Sequence, residues 1–523
     1  MLKNSITFIF IIFGTVSGLY SQTDSLLTNY ANTINSDDLY KELKIIASKE
    51  FEGRETGKPG QKKAAQYIAD NFKSNGLVAF NNEGYLQQFP AIVQNPFNVK
   101  FTVNGKNFEL FKDFYFFPEF SDTTIHLDSI LFVGYGINDS LYCDYSNKSI
   151  CRNKVAIILS GEPIDKKKKS YLSKTEYMSA WTYNWKQKLT TAKAMGIQAL
   201  LVADDEFDFK KDMIKQITKQ KMILDIDDNN DINLPVFYIS SQLANELLKN
   251  NRTYNKIKKA RKKINSSGKS VSFITKSKID IDVNIRGEKI QSENVIGYIE
   301  GSDLKDQILV ISAHYDHLGK KDSVIYYGAD DDGSGTSALL ELAQAFSEAK
   351  KDGNGPRRSI LFIAFAGEEK GLLGSKYYTR FPLFSLDSTV ADLNIDMIGR
   401  IDTAHHGNPD YVYVIGSDKL SSDLHKINEE KNNTYTHLQL DYKYDDVNDP
   451  NHFYYRSDHY NFAKNNVPVI FYFNGVHADY HKPTDTIDKI NFDKIEKISR
   501  LVFYTAWELA NRDERIKVDS NKP

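Results

Sequence analysis

Cysteine is nearly absent: the 523 residues hold only Cys143 and Cys151. A disulfide framework is therefore excluded, and a single bridge between these two is the most that can form. Both lie far along the chain from its histidine and acidic clusters, so thiolate ligands for a metal are not expected. An excess of charge of one sign is also missing. With 67 basic and 69 acidic side chains the formal net charge is −2, which gives no electrostatic reason to expect nucleic acid as a partner. Beyond the N-terminus no apolar run approaches the roughly 20 residues that a stable membrane span needs. There is no internal repeat and no low-complexity tract. No His-Glu-x-x-His helix occurs. Gly333-Ser334-Gly335 lacks the spacing of a Gly-x-Ser-x-Gly nucleophile elbow, and no lysine follows it to make a phosphate loop.

What is present reads as a soluble, folded chain. Hydrophobic residues make up 41% and charged residues 26%, outside the range of disordered segments. The length exceeds one ordinary core, so two or more domains are expected. Tyrosine and phenylalanine, 31 of each, are read as core packing. The basic clusters Lys166–Lys169 and Lys258–Lys263 are read as solvated surface. At the N-terminus Lys3 precedes an apolar run from Ile6 to Val16, then small residues up to Ser21. This is the pattern of a secretory leader over residues 1–21, and it predicts export to the periplasm or the medium. No cysteine near the cleavage region points to a lipid anchor.

Periodicity divides the rest. Ser36 can cap a helix with Leu39, Leu43 and Ile46 on one face, and a second helix starts at Pro59, carries Ala64, Ile68 and Phe72, and stops at Gly76. From about 96 to 280 short β-like runs dominate, such as Ile130–Val133 and Val155–Leu159. From about 281 apolar strand runs alternate with helical patterns. Ile308–Ile311, Ser359–Phe365, Val390–Ile395 and Val467–Phe473 read as strands; Thr336–Ala349 and Ile495–Leu509 read as helices. That alternation predicts an α/β fold, a mixed and largely parallel central sheet flanked by helices, with its site where loops leave the strand ends.

The chemistry-bearing residues follow those strands. They are Ser312-Ala313-His314-Tyr315-Asp316-His317, Ala329-Asp330-Asp331-Asp332-Gly333, Gly367-Glu368-Glu369, Asn394-Ile395-Asp396 and Asp479-Tyr480-His481. Singly each has an ordinary explanation: a structural histidine, a solvated acidic pair, or acids at a helix N-terminus. Together they bring histidines and several carboxylates to one sheet edge. Clustered carboxylates repel unless a cation offsets them, and His with carboxylate suits catalytic zinc.

The motifs AHYDHLG, GADDDGSGTS, AFAGEEKGLLGS, NIDMIG and YHKPTDT resemble those of the co-catalytic dinuclear zinc aminopeptidases. The resemblance covers about 285–523 and the segment FEGRETGKPG with the helix after it. GYG, NKVAIILSGEP and TTAKAMGIQALLVADD resemble a β-rich protease-associated domain inserted at 96–280, between a 22–95 N-terminal segment and a 281–523 peptidase domain. The resemblance implies two zinc ions per chain, held by His314, Asp331, Glu369, Asp396 and His481, with Asp331 bridging. It implies Glu368 as the general base acting on a hydroxide shared by the metals, and Tyr480 as a group stabilising the oxyanion. Asp316, Asp332 and Asp458 would support the ligands from behind, Asp316 by orienting the His314 ring. A cis peptide between Asp331 and Asp332 is implied as well. His317, His405, His406, His452, His459 and His477 match no ligand position of the family and are read as structural.

Peptide is the expected substrate, with removal of N-terminal residues as the reaction. A carboxypeptidase or dipeptidase, a glutaminyl-peptide cyclase and a non-catalytic receptor-like module share the fold. The complete ligand set argues against the last two. Neither side-chain preference nor oligomeric state follows from the sequence.

Overall fold

The computed structural model describes residues 25–520 except 80, 83, 118–119, 121, 146–147, 219–220 and 227–233. The expected leader, residues 1–21, lies outside the described residues. The chain forms two compact units, one of residues 92–289 and one built from the segments on either side of it. The 92–289 unit overlaps the insert expected at 96–280. Near its C-terminal end a strand, Ser272–Val283, runs antiparallel to Thr123–Val133 through a register shift between Lys276 and Ile279. Its polar alternation hides it from a search for apolar runs.

In the flanking unit, α1 (Ser36–Ile46) buries Leu39, Leu43 and Ile46. Its cap is Asn35, one residue before the expected Ser36; the Asn35 side chain accepts from the Asp38 amide at 3.0 Å. Helix α2 (Pro59–Ser74) opens on proline and buries Ala64, Ile68 and Phe72. The chain then turns through Gly76 at φ +80°, a conformation that glycine adopts without cost.

The sheet of this unit contains β1 (Glu288–Ile299), β2 (Leu304–His314), β3 (Arg358–Phe365), β4 (Thr389–Ile395), β5 (Tyr411–Ile415), β6 (Gln439–Asp441) and β7 (Val469–Phe473), in the order β6-β5-β7-β4-β2-β3-β1. The central pairs β3–β2, β2–β4 and β4–β7 are parallel. Towards the edges β1–β3 and β5–β7 are antiparallel. Every residue of β3 and β4 is buried, because helices cover both faces; this is why these strands read as unbroken apolar runs. On one face Ile308, Val310, Leu361 and Ile363 pack with Tyr378 and with Phe462 of α4 (His459–Ala463). On the other, Phe362 meets Phe346 of α3 (Gly335–Lys351), whose ring lies 4.7 Å from that of Phe503 in α5 (Phe492–Asn511). Each such aromatic side chain contributes roughly 1.5–3 kcal/mol by leaving water.

The 92–289 unit has its own sheet, with strands Ile130-containing Thr123–Val133, Val155–Leu159, Ala199–Ala203 and Val236–Ile239 side by side. Helices Trp185–Ala194, Ser241–Leu248 and Ile257–Ser267 accompany them. Cys143 and Cys151, both in this unit, form no disulfide with each other. Among the described residues no helix is long and apolar enough to cross a membrane.

Candidate metal centre

Parallel register is what gathers the site. His314 is the last residue of β2 and lies opposite Phe365, the last residue of β3. Ser312 lies opposite Asn394 near the end of β4. Glu368-Glu369 and Asp396 therefore leave the same sheet edge as His314. Asp331 comes from the turn that starts α3, across a cis peptide to Asp332. His481 comes from the loop after β7. The five residues expected as ligands meet at this edge.

They form two groups that share Asp331. In the first, His314 Nε2 is 3.3 Å from Asp331 Oδ1 and 3.5 Å from Asp396 Oδ1. In the second, His481 Nε2 is 3.1 Å from Asp331 Oδ2 and 3.2 Å from Glu369 Oε2. Donor atoms of His314, Asp331 and Asp396 fall within 4.8 Å of one another, and so do those of His317, Asp331 and Glu369. His314 Nε2, Asp331 Oδ2 and Glu369 Oε1 are buried with no hydrogen-bond partner in the protein. Orphaned buried polar atoms cost free energy unless something else satisfies them. Two nitrogens and several carboxylate oxygens, with no thiolate, fit zinc. The local field favours a cation too: burial pulls His481 down, but Asp331 and Glu369 outweigh it and push its pKa up to about 10.

The carboxylates around these groups serve as struts. Asp332 accepts from the amides of His314, Gly335 and Met397 at 3.2, 2.8 and 3.0 Å, tying the ends of β2, α3 and β4 together. Asp485 accepts from the amides of Asp330 and Asp331. Asp316 acts differently from the expectation. The His314 ring faces its backbone carbonyl at 3.1 Å, whereas the carboxylate lies 3.7 Å away. That carboxylate instead accepts from Thr56 Oγ1 at 2.7 Å and from the Glu368 amide at 3.1 Å. Ring orientation thus falls to the carbonyl, and the Asp316 side chain holds the Glu368 backbone. Asp458 is fully buried, and burial together with Asp316 and Asp396 pushes it up to about 7 against the pull of His314 and Ser375.

Two residues escaped the sequence reading. Arg54 lies beneath the acidic cluster, entirely buried, and donates to the carbonyls of Tyr315, Ile46, Tyr327 and Gly328 at 2.7–2.8 Å. Burial lowers its pKa to about 10 against the opposing pull of Asp331, Asp316 and Asp332, so it stays a cation. Three of its four partners are carbonyls more than 260 residues away, the fourth being that of Ile46 at the end of α1, and no local pattern announces them. His317, set aside as structural, is also fully buried, with Nδ1 2.9 Å from Glu369 Oε1. Its spacing of three from His314 was the available signal.

Glu368 belongs to neither group. Its Oε2 lies 4.0 Å from His314 Nε2, and burial, reinforced by Glu369, Asp396 and Asp458 and opposed by His314, holds its carboxyl well above the ordinary range. It lines a cleft with His314, Asp331 and Asp396, whose apolar walls are Met397, Phe453, Phe471, Phe473 and Val476. Tyr480 lines the same cleft. Its ring stacks on His481 with centroids 3.9 Å apart, and its hydroxyl accepts from Arg456 at 3.3 Å.

Residues 294–506 match the model described as Peptidase family M28. Aminopeptidase NAALADL1 of Mus musculus is 37% identical over 128 residues, 24% of this chain and 16% of that protein. Aminopeptidase YwaD of Bacillus subtilis (strain 168) is 27% identical over 246 residues, 43% of this chain and 46% of that protein. The chain spans less than half the length of these two curated relatives. The solved aminopeptidase from Aneurinibacillus sp. strain AM-1 superposes with a TM-score of 0.49 at 18% identity, over 94% of this chain and 98% of that one.

Proposed function

We propose that the chain, whose residues 294–506 match the model described as Peptidase family M28, is a zinc-dependent aminopeptidase that removes N-terminal residues from peptides. One observation carries this reading: two donor groups share Asp331 at the floor of a cleft, with the carboxylate of Glu368 beside them and outside both. His314, Asp331 and Asp396 would hold one zinc and Asp331, Glu369 and His481 another, and bound there zinc would supply an acidified water and a polarised scissile carbonyl. The remaining tasks belong to side chains. Glu368 takes a proton from the attacking water and delivers it to the departing amine. The Tyr480 hydroxyl donates to the carbonyl oxygen as negative charge grows there. Phe453, Phe471, Phe473 and Met397 exclude water and take an apolar side chain. The 92–289 unit is read as the protease-associated-like insert, and the leader reading of residues 1–21 makes the enzyme an exported one, periplasmic or extracellular.

The decisive experiment combines metal analysis with a peptide-library digest read by mass spectrometry. About two zinc per chain and stepwise loss of N-terminal residues are expected. Activity in metal-free protein would refute the zinc chemistry. Loss of C-terminal residues, or cyclisation of N-terminal glutamine, would assign the same centre to a different reaction.

A further inference from the structure

We infer that His317 is a sixth protein ligand of the centre, binding through Nδ1 on the Glu369–His481 side. This rests on the two-metal reading above. His317 Nδ1 is 2.9 Å from Glu369 Oε1 and 3.7 Å from Asp331 Oδ2, and the three residues alone satisfy the spacing of a metal group. No hydrogen bond accounts for the short distance: His317 Nδ1 and Glu369 Oε1 are both buried and both without a hydrogen-bond partner. Buried donor atoms gathered this closely, with no hydrogen bond between them, are grouped as ligands are around a cation.

The backbone is built to present the ring there. The His317 amide donates to the carbonyl of Arg54 at 3.3 Å, pinning the turn after β2. Gly328 leaves the space the imidazole fills, since a Cβ on it would lie 2.5 Å from His317 Cγ and 2.6 Å from Cδ2. His314 and His317 thus leave one strand end towards opposite sides of Asp331.

The consequence is an asymmetric centre. On this assignment the Glu369 side would have four protein donors, as closed zinc sites do: His317, Asp331 and Glu369, within 4.8 Å of one another, and His481, 3.1 Å from Asp331 and 3.2 Å from Glu369. The His314 side receives three and keeps an open position beside Glu368 and the cleft, as catalytic sites do. The metal on the Glu369 side should be held tightly and exchange slowly, and the one on the His314 side should be the one that meets substrate.

Zinc itself is the probe, on the purified full-length chain. Titration with zinc buffers should show two zinc in the wild type. In His317→Ala one of them should weaken by more than about a hundredfold, beyond the loss typical of groups that merely support a ligand. X-ray absorption at the zinc edge of the wild type gives an answer independent of whether the variant folds. Three imidazoles shared over two zinc are expected with His317 bound, whereas His314 and His481 alone would give two. A His317→Ala protein that binds both zinc with wild-type affinity, or a wild-type imidazole count of two, overturns the assignment. A wild type that binds no zinc overturns the two-metal reading beneath it, and so the two failures are distinguishable.

Discussion

Replacing Glu368 with glutamine separates proton transfer from metal binding. The substitution keeps shape and removes only the charge. The Glu368 backbone is fixed independently of its side chain, through the amide hydrogen bond to Asp316 at 3.1 Å. Its carboxylate lies in neither donor group and comes no closer than 4.0 Å to the His314 ring nitrogen. Metal content should therefore stay at the wild-type level. Stability should hold or rise, because burial beside Glu369, Asp396 and Asp458 already disfavours this charge. Turnover should suffer: a positioned general base contributes roughly 10²–10⁴ in rate, equivalent to about 3–5 kcal/mol of barrier. The assay is hydrolysis of an aminoacyl p-nitroanilide at saturating substrate, with zinc measured by mass spectrometry on the same sample and unfolding followed by calorimetry. A fall in kcat of at least about a hundredfold at unchanged zinc content is expected. Zinc retained and kcat within about tenfold of wild type would refute the base assignment. Zinc lost along with activity would make Glu368 a ligand instead.

Three further substitutions test other parts of the argument. Tyr480→Phe should lower kcat by about 10², the scale of one oxyanion donor, with little change in KM; an unchanged kcat would leave Tyr480 a packing residue on His481. Arg54→Met removes a buried cation that satisfies four carbonyls and faces the carboxylates of the centre, and should destabilise the protein by at least about 3 kcal/mol in denaturant titration; a change under about 1 kcal/mol would show that the cation is dispensable. Glu341, buried on α3 with Oε2 unpartnered, has its pKa raised to about 8 by burial, then by Asp38, Glu42 and Glu348. The folded state therefore keeps a proton that the unfolded state loses above the ordinary glutamate pKa of about 4.3, and stability falls as pH rises from there to about 8. Glu341→Gln removes this loss, so its stability advantage should grow between pH 5 and pH 8 to about 2–4 kcal/mol; an advantage independent of pH would contradict the origin of the shift.

How much of this could be read from the sequence depended on whether a residue's reason for being there is local. Strands β2, β3 and β4 are covered on both faces, so they appear as continuous apolar runs, and the acids and histidines that follow them stand out as interruptions. Parallel register then carries His314, Glu369 and Asp396 to one edge with no further information. The helix start at Asn35 failed by one residue because Asn35 and Ser36 are both short polar side chains, and only the geometry shows which one reaches the Asp38 amide. Strand Ser272–Val283 was missed because its lysines and aspartates alternate with buried residues at a period that a register shift interrupts. Arg54 was out of reach for a deeper reason. An arginine in a glycine-rich loop is ordinarily a surface cation, and what buries it is a set of carbonyls some 260–275 residues away. The same distinction governs the histidines. His314 and His481 could be carried over because a family motif names their positions, whereas His317 could be weighed only once the fold turned it inward against Glu369. Its case rests on orphaned atoms buried close together, a property of three-dimensional arrangement that no spacing along the chain encodes.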